Sequence, residues 1–130
     1  MNNYKFTYII DDDAIFVLVF KKILSNIENF QNINTVKNGF VALNELKEMY
    51  EKNQILPDII FVDLNMPVLD GWQFLDELEK LSFKDKLNIH LISSTIDAKE
   101  INKSKTYKTV KSFIQKPTNA KQLLESLEIL

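Results

Sequence analysis

Five short apolar runs alternate along this chain with stretches whose apolar residues recur every three or four positions. No other feature restricts the fold as strongly. "YKFTYII" (4–10), "INTV" (33–36), "DIIFV" (58–62), "NIHLIS" (88–93) and "SFIQ" (112–115) are rich in Ile, Val and Phe and bounded by polar residues, as strands are. Between them, Phe16, Phe20, Ile23, Leu24 and Ile27 share one helical face. The same spacing recurs in Ala42, Leu43, Leu46, Met49 and Tyr50, in Phe74, Leu75, Leu78 and Leu81, and in Ala120, Leu123, Leu124 and Leu127. Residues 97–108 carry the weakest helical period. "AIFVLVF" (14–20) has strand propensity, but the register of Ile23, Leu24 and Ile27 extends a helix through it, with Asp13 placed to cap its free N–H groups. Alternating strands and helices imply right-handed crossovers and a parallel sheet covered on both faces, a doubly wound α/β fold.

The chain length, 130 residues, suits one continuous core, so a single domain over 1–130 is expected. A net charge of −2 offers no general attraction to nucleic acid or anionic membrane. With no cysteine, disulfides and thiolate metal sites are excluded. "AIFVLVF", the longest apolar run, is too short to span a bilayer, and "MNNYKF" lacks the pattern of a signal peptide. The expectation is a cytoplasmic protein.

In open parallel sheets, ligands bind beyond the carboxyl ends of the strands, near the point where strand order reverses. Asp11, Asp12 and Asp13 follow the first strand, Asp63 the third, Ser93 closes the fourth, and Lys116–Pro117 follow the fifth. Adjacent carboxylates repel: at about 5 Å and an effective dielectric of about 20, each pair costs on the order of 3 kcal/mol. A divalent cation would remove that cost. Carboxylates with carbonyls and water form a hard-oxygen site suited to Mg²⁺. Beside such a cation a carboxylate can attack phosphorus and become an acyl phosphate, with the lysine and hydroxyl available to the phosphoryl oxygens. Taken singly, each piece has a plain structural reading: a solvated acidic loop, a surface lysine, a hydroxyl that caps a helix.

The motifs "IIDDD", "FVDLNMPVLDG", "LISS" and "FIQKP", in this order and spacing, resemble the receiver domains of two-component response regulators, the CheY-like family, along essentially the whole chain. The resemblance implies a flavodoxin-like sheet of order 2-1-3-4-5. It implies that Asp63 is the phosphoacceptor, that Asp11 and Asp12 are the metal-side pair with Asp12 in direct contact, and that the Asn65 carbonyl completes a Mg²⁺ shell with Asp63. Ser93 takes the hydroxyl switch position, Lys116 the phosphate-pairing lysine and Phe113 the aromatic switch position, here without a phenol hydroxyl. A cis Lys116–Pro117 bond is also implied. Thr118 stands where many receivers carry a bulky apolar residue.

The expected function is a phosphorelay switch. A sensor histidine kinase or histidine phosphotransfer protein supplies the phosphoryl group, and an unknown output protein reads the face formed by the fourth helix, fifth strand and fifth helix. The chain would promote its own phosphorylation and dephosphorylation without being a turnover enzyme, with no output domain and no contact with nucleic acid or membrane. A haloacid dehalogenase-type hydrolase shares the residue types but places its nucleophile at the first strand, here Asp11. A receiver retained only as a binding scaffold is the third reading. Lys99, Lys103, Lys105, Lys108 and Lys111 form a solvated basic face or a docking surface for an acidic partner. Asp70–Gly71 reads as a turn, and His90 as a packed or edge imidazole.

Overall fold

A computed structural model of the chain describes residues 3–66, 69–95, 97–116 and 118–127. Its elements run β1 (Thr7–Ile10), α1 (Ala14–Ser25), β2 (Ile33–Val36), α2 (Gly39–Glu51), β3 (Ile59–Asp63), α3 (Gly71–Leu78), β4 (Ile89–Ser93), α4 (Ala98–Ser104), β5 (Val110–Gln115) and α5 (Ala120–Ser126), with a 3-10 turn at Lys84–Lys86. All strand pairs are parallel and the order is β2-β1-β3-β4-β5, the doubly wound arrangement expected from the sequence.

Alternation along the buried strands divides the core in two. Tyr8, Ile10, Ile60, Val62, Ile89 and Leu91 face α2 and α3, where Leu43, Leu46, Phe74 and Leu75 meet them. Ile9, Ile59, Phe61, Ile92 and Ile114 pack instead with Phe20 and Leu24 of α1 and with Leu123 of α5.

"AIFVLVF" is helical. Asp13 accepts from the backbone N–H groups of Ile15 and Phe16, both at 3.1 Å, and so starts α1 directly after β1. The sheet takes only part of this apolar run: Phe20 is fully buried, as is Leu24 one turn on, whereas Ile15, Leu18 and Val19 are exposed.

Strands β3 (Ile59–Asp63), β4 (from Ile89) and β5 (from Val110) are shifted by one or two residues from the expected runs, and Asp63 is the last residue of β3. β1 and α4 differ more. β1 begins at Thr7 instead of residue 4, because the Phe6 N–H is donated to the Asp58 side chain and Tyr4 forms an isolated bridge to Phe30. α4 stops at Ser104 instead of continuing toward 108. There the Ser104 and Thr106 hydroxyls donate to the Ile101 and Lys103 carbonyls, satisfying acceptors that a longer helix would use. The expected cis bond involves Pro117, which lies outside the described residues.

Candidate functional site

Asp11, Asp63 and Lys116 each follow, by two residues, a side chain of the α1/α5 core: Ile9, Phe61 and Ile114. A step of two residues preserves the face of a strand, so the three converge above that core at the carboxyl edge. The backbone holds them there. Ladder bonds continue past the strand ends from Asp11 N–H to the Val36 carbonyl (3.0 Å), from Leu64 N–H to Ile92 (3.0 Å) and from Lys116 N–H to Ser93 (2.7 Å).

The result is a compact charged cluster. Lys116 Nζ lies 2.8 Å from Asp11 Oδ2 and 3.4 Å from Asp63 Oδ2. Carboxylate oxygens of Asp11, Asp12 and Asp63 all fall within 4.8 Å of one another. Asp11 and Asp63 are buried and Asp12 is exposed, so the cluster opens to solvent on one side. The remaining polar contacts are local: Asp11 Oδ1 accepts the Asp13 N–H at 2.9 Å, and Asp63 Oδ1 accepts the Asn65 N–H at 3.1 Å.

Burial and neighbouring charges act on both Asp63 and Lys116. Burial pushes the Asp63 carboxyl up to about 6; the Asn65 N–H and Lys116 pull it down, while the Asp11 charge adds to the rise. At Lys116, burial favours the neutral amine, but the hydrogen bond and charge of Asp11 and the charge of Asp63 prevail and raise its pKa. The lysine therefore stays a cation between the two carboxyl groups.

Ser93 and Phe113 occupy the opposite face. Ser93 is two residues beyond Leu91, and Phe113 is the register partner of Leu91 and packs on the α2/α3 core. Ser93 is fully buried, and its Oγ accepts the Thr95 N–H at 3.2 Å. Phe113 lines a cavity of about 180 Å³ with Ile101, Ser104 and Val110, between α4 and β5. By strand alternation Ser93 and Phe113 thus belong to the face of the sheet opposite that of Asp11, Asp63 and Lys116.

A model of the response regulator receiver domain matches residues 7–128. The chain belongs to the response regulator receiver family. Chemotaxis protein CheY of Listeria monocytogenes is 29% identical over 92% of this receiver and 93% of its own length. A protein-glutamate methylesterase/protein-glutamine glutaminase of Carboxydothermus hydrogenoformans is 33% identical over 77% of this chain, which aligns with only 29% of that longer protein. Among solved structures, a two-component response regulator from Cytophaga hutchinsonii superposes with a TM-score of 0.88, at 28% identity, covering 98% of this chain and 97% of that one. The phosphorylated cyanobacterial phytochrome response regulator RcpA does so with a TM-score of 0.77, at 25% identity, covering 95% and 87%. A receiver acts as a switch in two-component signalling. Among the described residues, no helix is long and apolar enough to cross a membrane.

The structure also shows what reading the sequence left out. Gly71 is more than part of a turn: Asp70 forms a capping box with Gln73, and a Cβ on Gly71 would sit 2.6 Å from the Leu64 Cα and 2.8 Å from the Asp63 carbonyl oxygen. Only glycine lets α3 begin this close to the end of β3. A second omission is Phe16, whose ring centroid lies 4.2 Å from Lys116 Nζ. Neither contact leaves a local sequence signal, since each depends on which elements the fold brings together.

Proposed function

We propose that Asp63 accepts a phosphoryl group from a phosphohistidine donor, and that Asp11, Asp12 and the Asn65 carbonyl hold Mg²⁺ beside it. The observation that carries this reading is the placement of one ammonium within reach of both Asp11 and Asp63, with three carboxylate oxygens inside 4.8 Å. Such a donor set fits a hard cation that retains several waters. When bound, Mg²⁺ supplies charge neutralisation for the phosphoryl oxygens.

Asp63, ionised, attacks phosphorus; a new O–P bond forms as the P–N bond to the donor imidazole breaks, and the imidazole departs with the bonding pair and takes up a proton. Lys116 exchanges its Asp11 contact for a phosphoryl oxygen and neutralises part of the added charge. Water reverses the process by attacking phosphorus and releasing inorganic phosphate and the Asp63 carboxylate. That RcpA, 25% identical to this chain, has been solved in a phosphorylated form supports phosphorylation here by kinship.

Ser93 is the group that turns toward the phosphoryl oxygen. In doing so it gives up its contact with the Thr95 N–H, while Phe113, on the same face, repacks into the cavity beneath α4. The output is a population shift of the surface formed by α4, β5 and α5, read by a partner protein. A sensor histidine kinase or histidine phosphotransfer protein is the donor. His90 is not a phosphate carrier, because it is buried and its two ring nitrogens are engaged by Ser112 and Asn88.

The test is incubation with acetyl phosphate and Mg²⁺, read by intact mass. The wild-type chain should gain one phosphate and Asp63→Asn none. Equal modification of both, or of neither, would overturn the assignment.

A further inference from the structure

Lys116 has a third neighbour that no carboxylate chemistry requires. Besides Asp11 and Asp63, its ammonium rests over the ring of Phe16, 4.2 Å from the centroid, and its side chain is only 12% exposed. The ring is fixed from below. It stacks on Phe20 at 5.2 Å and 20°, and the fully buried Phe20 meets Phe61 edge-on at 5.0 Å and 90°. It is fixed along the chain as well, because the Phe16 N–H is one of the two donors capped by Asp13. A continuous path of contacts therefore runs from the core of the sheet through two aromatic rings to the lysine.

We infer that Phe16 is a positioning residue for phosphoryl transfer, its ring face holding the Lys116 ammonium over Asp63 while that ammonium changes partners. The inference rests on the assignment of Asp63 as phosphoacceptor. A lysine is a compact point charge on a flexible stem, so its placement must come from its surroundings. Before transfer, Asp11 is its nearer carboxylate partner; during transfer, the ammonium has to move to a phosphoryl oxygen. A π face attracts the cation electrostatically without fixing the direction of any N–H. It retains the charge in place and leaves the hydrogen bonds free to be exchanged. An aliphatic residue at position 16 would fill the same space without that attraction, and the freed ammonium would spend more of its time on Asp11.

The experiment compares Phe16→Leu, Phe16→Tyr and a chain carrying trifluorophenylalanine at position 16, which keeps the shape of the ring and removes most of its negative face. The phosphorylation rate with acetyl phosphate is measured at saturating Mg²⁺, alongside Mg²⁺ affinity by calorimetry and the NMR shift of the Lys116 ε-methylene. The Leu and trifluoro variants should be phosphorylated about tenfold more slowly, the span expected for a partly desolvated cation–π contact. Phe16→Tyr should match wild type. An ammonium freed from the ring competes with Mg²⁺ for Asp11, so Mg²⁺ affinity should fall as well, by no more than about tenfold, and the rate difference is therefore read at saturating Mg²⁺. The ring-current shift of Lys116 should be present in wild type and lost in Phe16→Leu. If the trifluoro variant reacts at the wild-type rate, Phe16 is only filling space and the inference fails. Should Phe16→Leu not fold, the trifluoro variant decides alone. A wild-type chain that takes no phosphate at Asp63 would instead defeat the phosphoacceptor assignment, a separate result.

Discussion

The ammonium of Lys116 sits 2.8 Å from Asp11 Oδ2, closer than its 3.4 Å approach to the proposed acceptor Asp63. Lys116 thus stands beside the same Asp11 carboxylate that is proposed to hold Mg²⁺. If Mg²⁺ is held beside Asp11 as proposed, its binding and the release of Lys116 toward the phosphoryl position would be two sides of one exchange.

Substituting Lys116→Met should expose this exchange. Removing one member of a buried ion pair strands its partners, at a cost of up to about 3–5 kcal/mol. In the absence of metal the variant should melt well below wild type. Added Mg²⁺ should raise its melting temperature by more than it raises that of wild type, because the ion no longer competes with an internal cation. Equal increments in the two proteins would show that Lys116 and Mg²⁺ do not share Asp11.

Gly71→Ala tests how the proposed acceptor, Asp63, is positioned. The added Cβ would meet the Leu64 Cα at 2.6 Å and the Asp63 carbonyl at 2.8 Å, both backbone atoms with little room to yield. The expected destabilisation is about 1–3 kcal/mol. The displaced end of β3 should slow phosphorylation on the order of tenfold to a hundredfold. A variant that melts lower yet is phosphorylated at the wild-type rate would uncouple this contact from the site.

His90 predicts a pH dependence that has nothing to do with the acidic cluster. Burial, helped by Lys111, pulls its pKa down to about 4. As a neutral ring it donates from Nε2 to Asn88 Oδ1 (3.0 Å) and accepts at Nδ1 from the Ser112 hydroxyl (2.6 Å). The unfolded chain, with an ordinary imidazole near 6.5, binds the proton more readily. Its contribution to stability is therefore complete above about pH 6.5 and is lost as the pH falls toward about 4. The full span is worth roughly 3 kcal/mol. Urea unfolding at pH 7 and pH 4.5 should show wild type losing roughly 2–3 kcal/mol more than His90→Leu. Parallel losses would mean that the folded ring accepts its proton without penalty.

Much of this architecture was legible in the sequence because it is governed by short-range periodicity. Apolar runs of strand length place Asp63 and Ser93 at strand ends, and the period-two rule puts Asp11, Asp63 and Lys116 on one face once the strands pair in parallel. The ambiguous "AIFVLVF" is settled as helix by the register of Ile23, Leu24 and Ile27, and Asp13 satisfies the free N–H groups at its start. What escaped the reading is tertiary. The first strand is shortened by the contact of Phe6 with Asp58, 52 positions away in the chain. Phe16 looks like any core residue of an amphipathic helix until α1 is laid beside β5, and Gly71 looks like a turn glycine until α3 is laid against β3.

Trapping the acyl phosphate reads the central claim most directly. After incubation with acetyl phosphate and Mg²⁺, borohydride reduces an aspartyl phosphate to homoserine, which peptide mapping assigns to a single position. Homoserine is expected at residue 63 and nowhere else, with the signal abolished by chelation of the metal. Homoserine at residue 11, 12 or 13, or none under any phosphodonor, would contradict it.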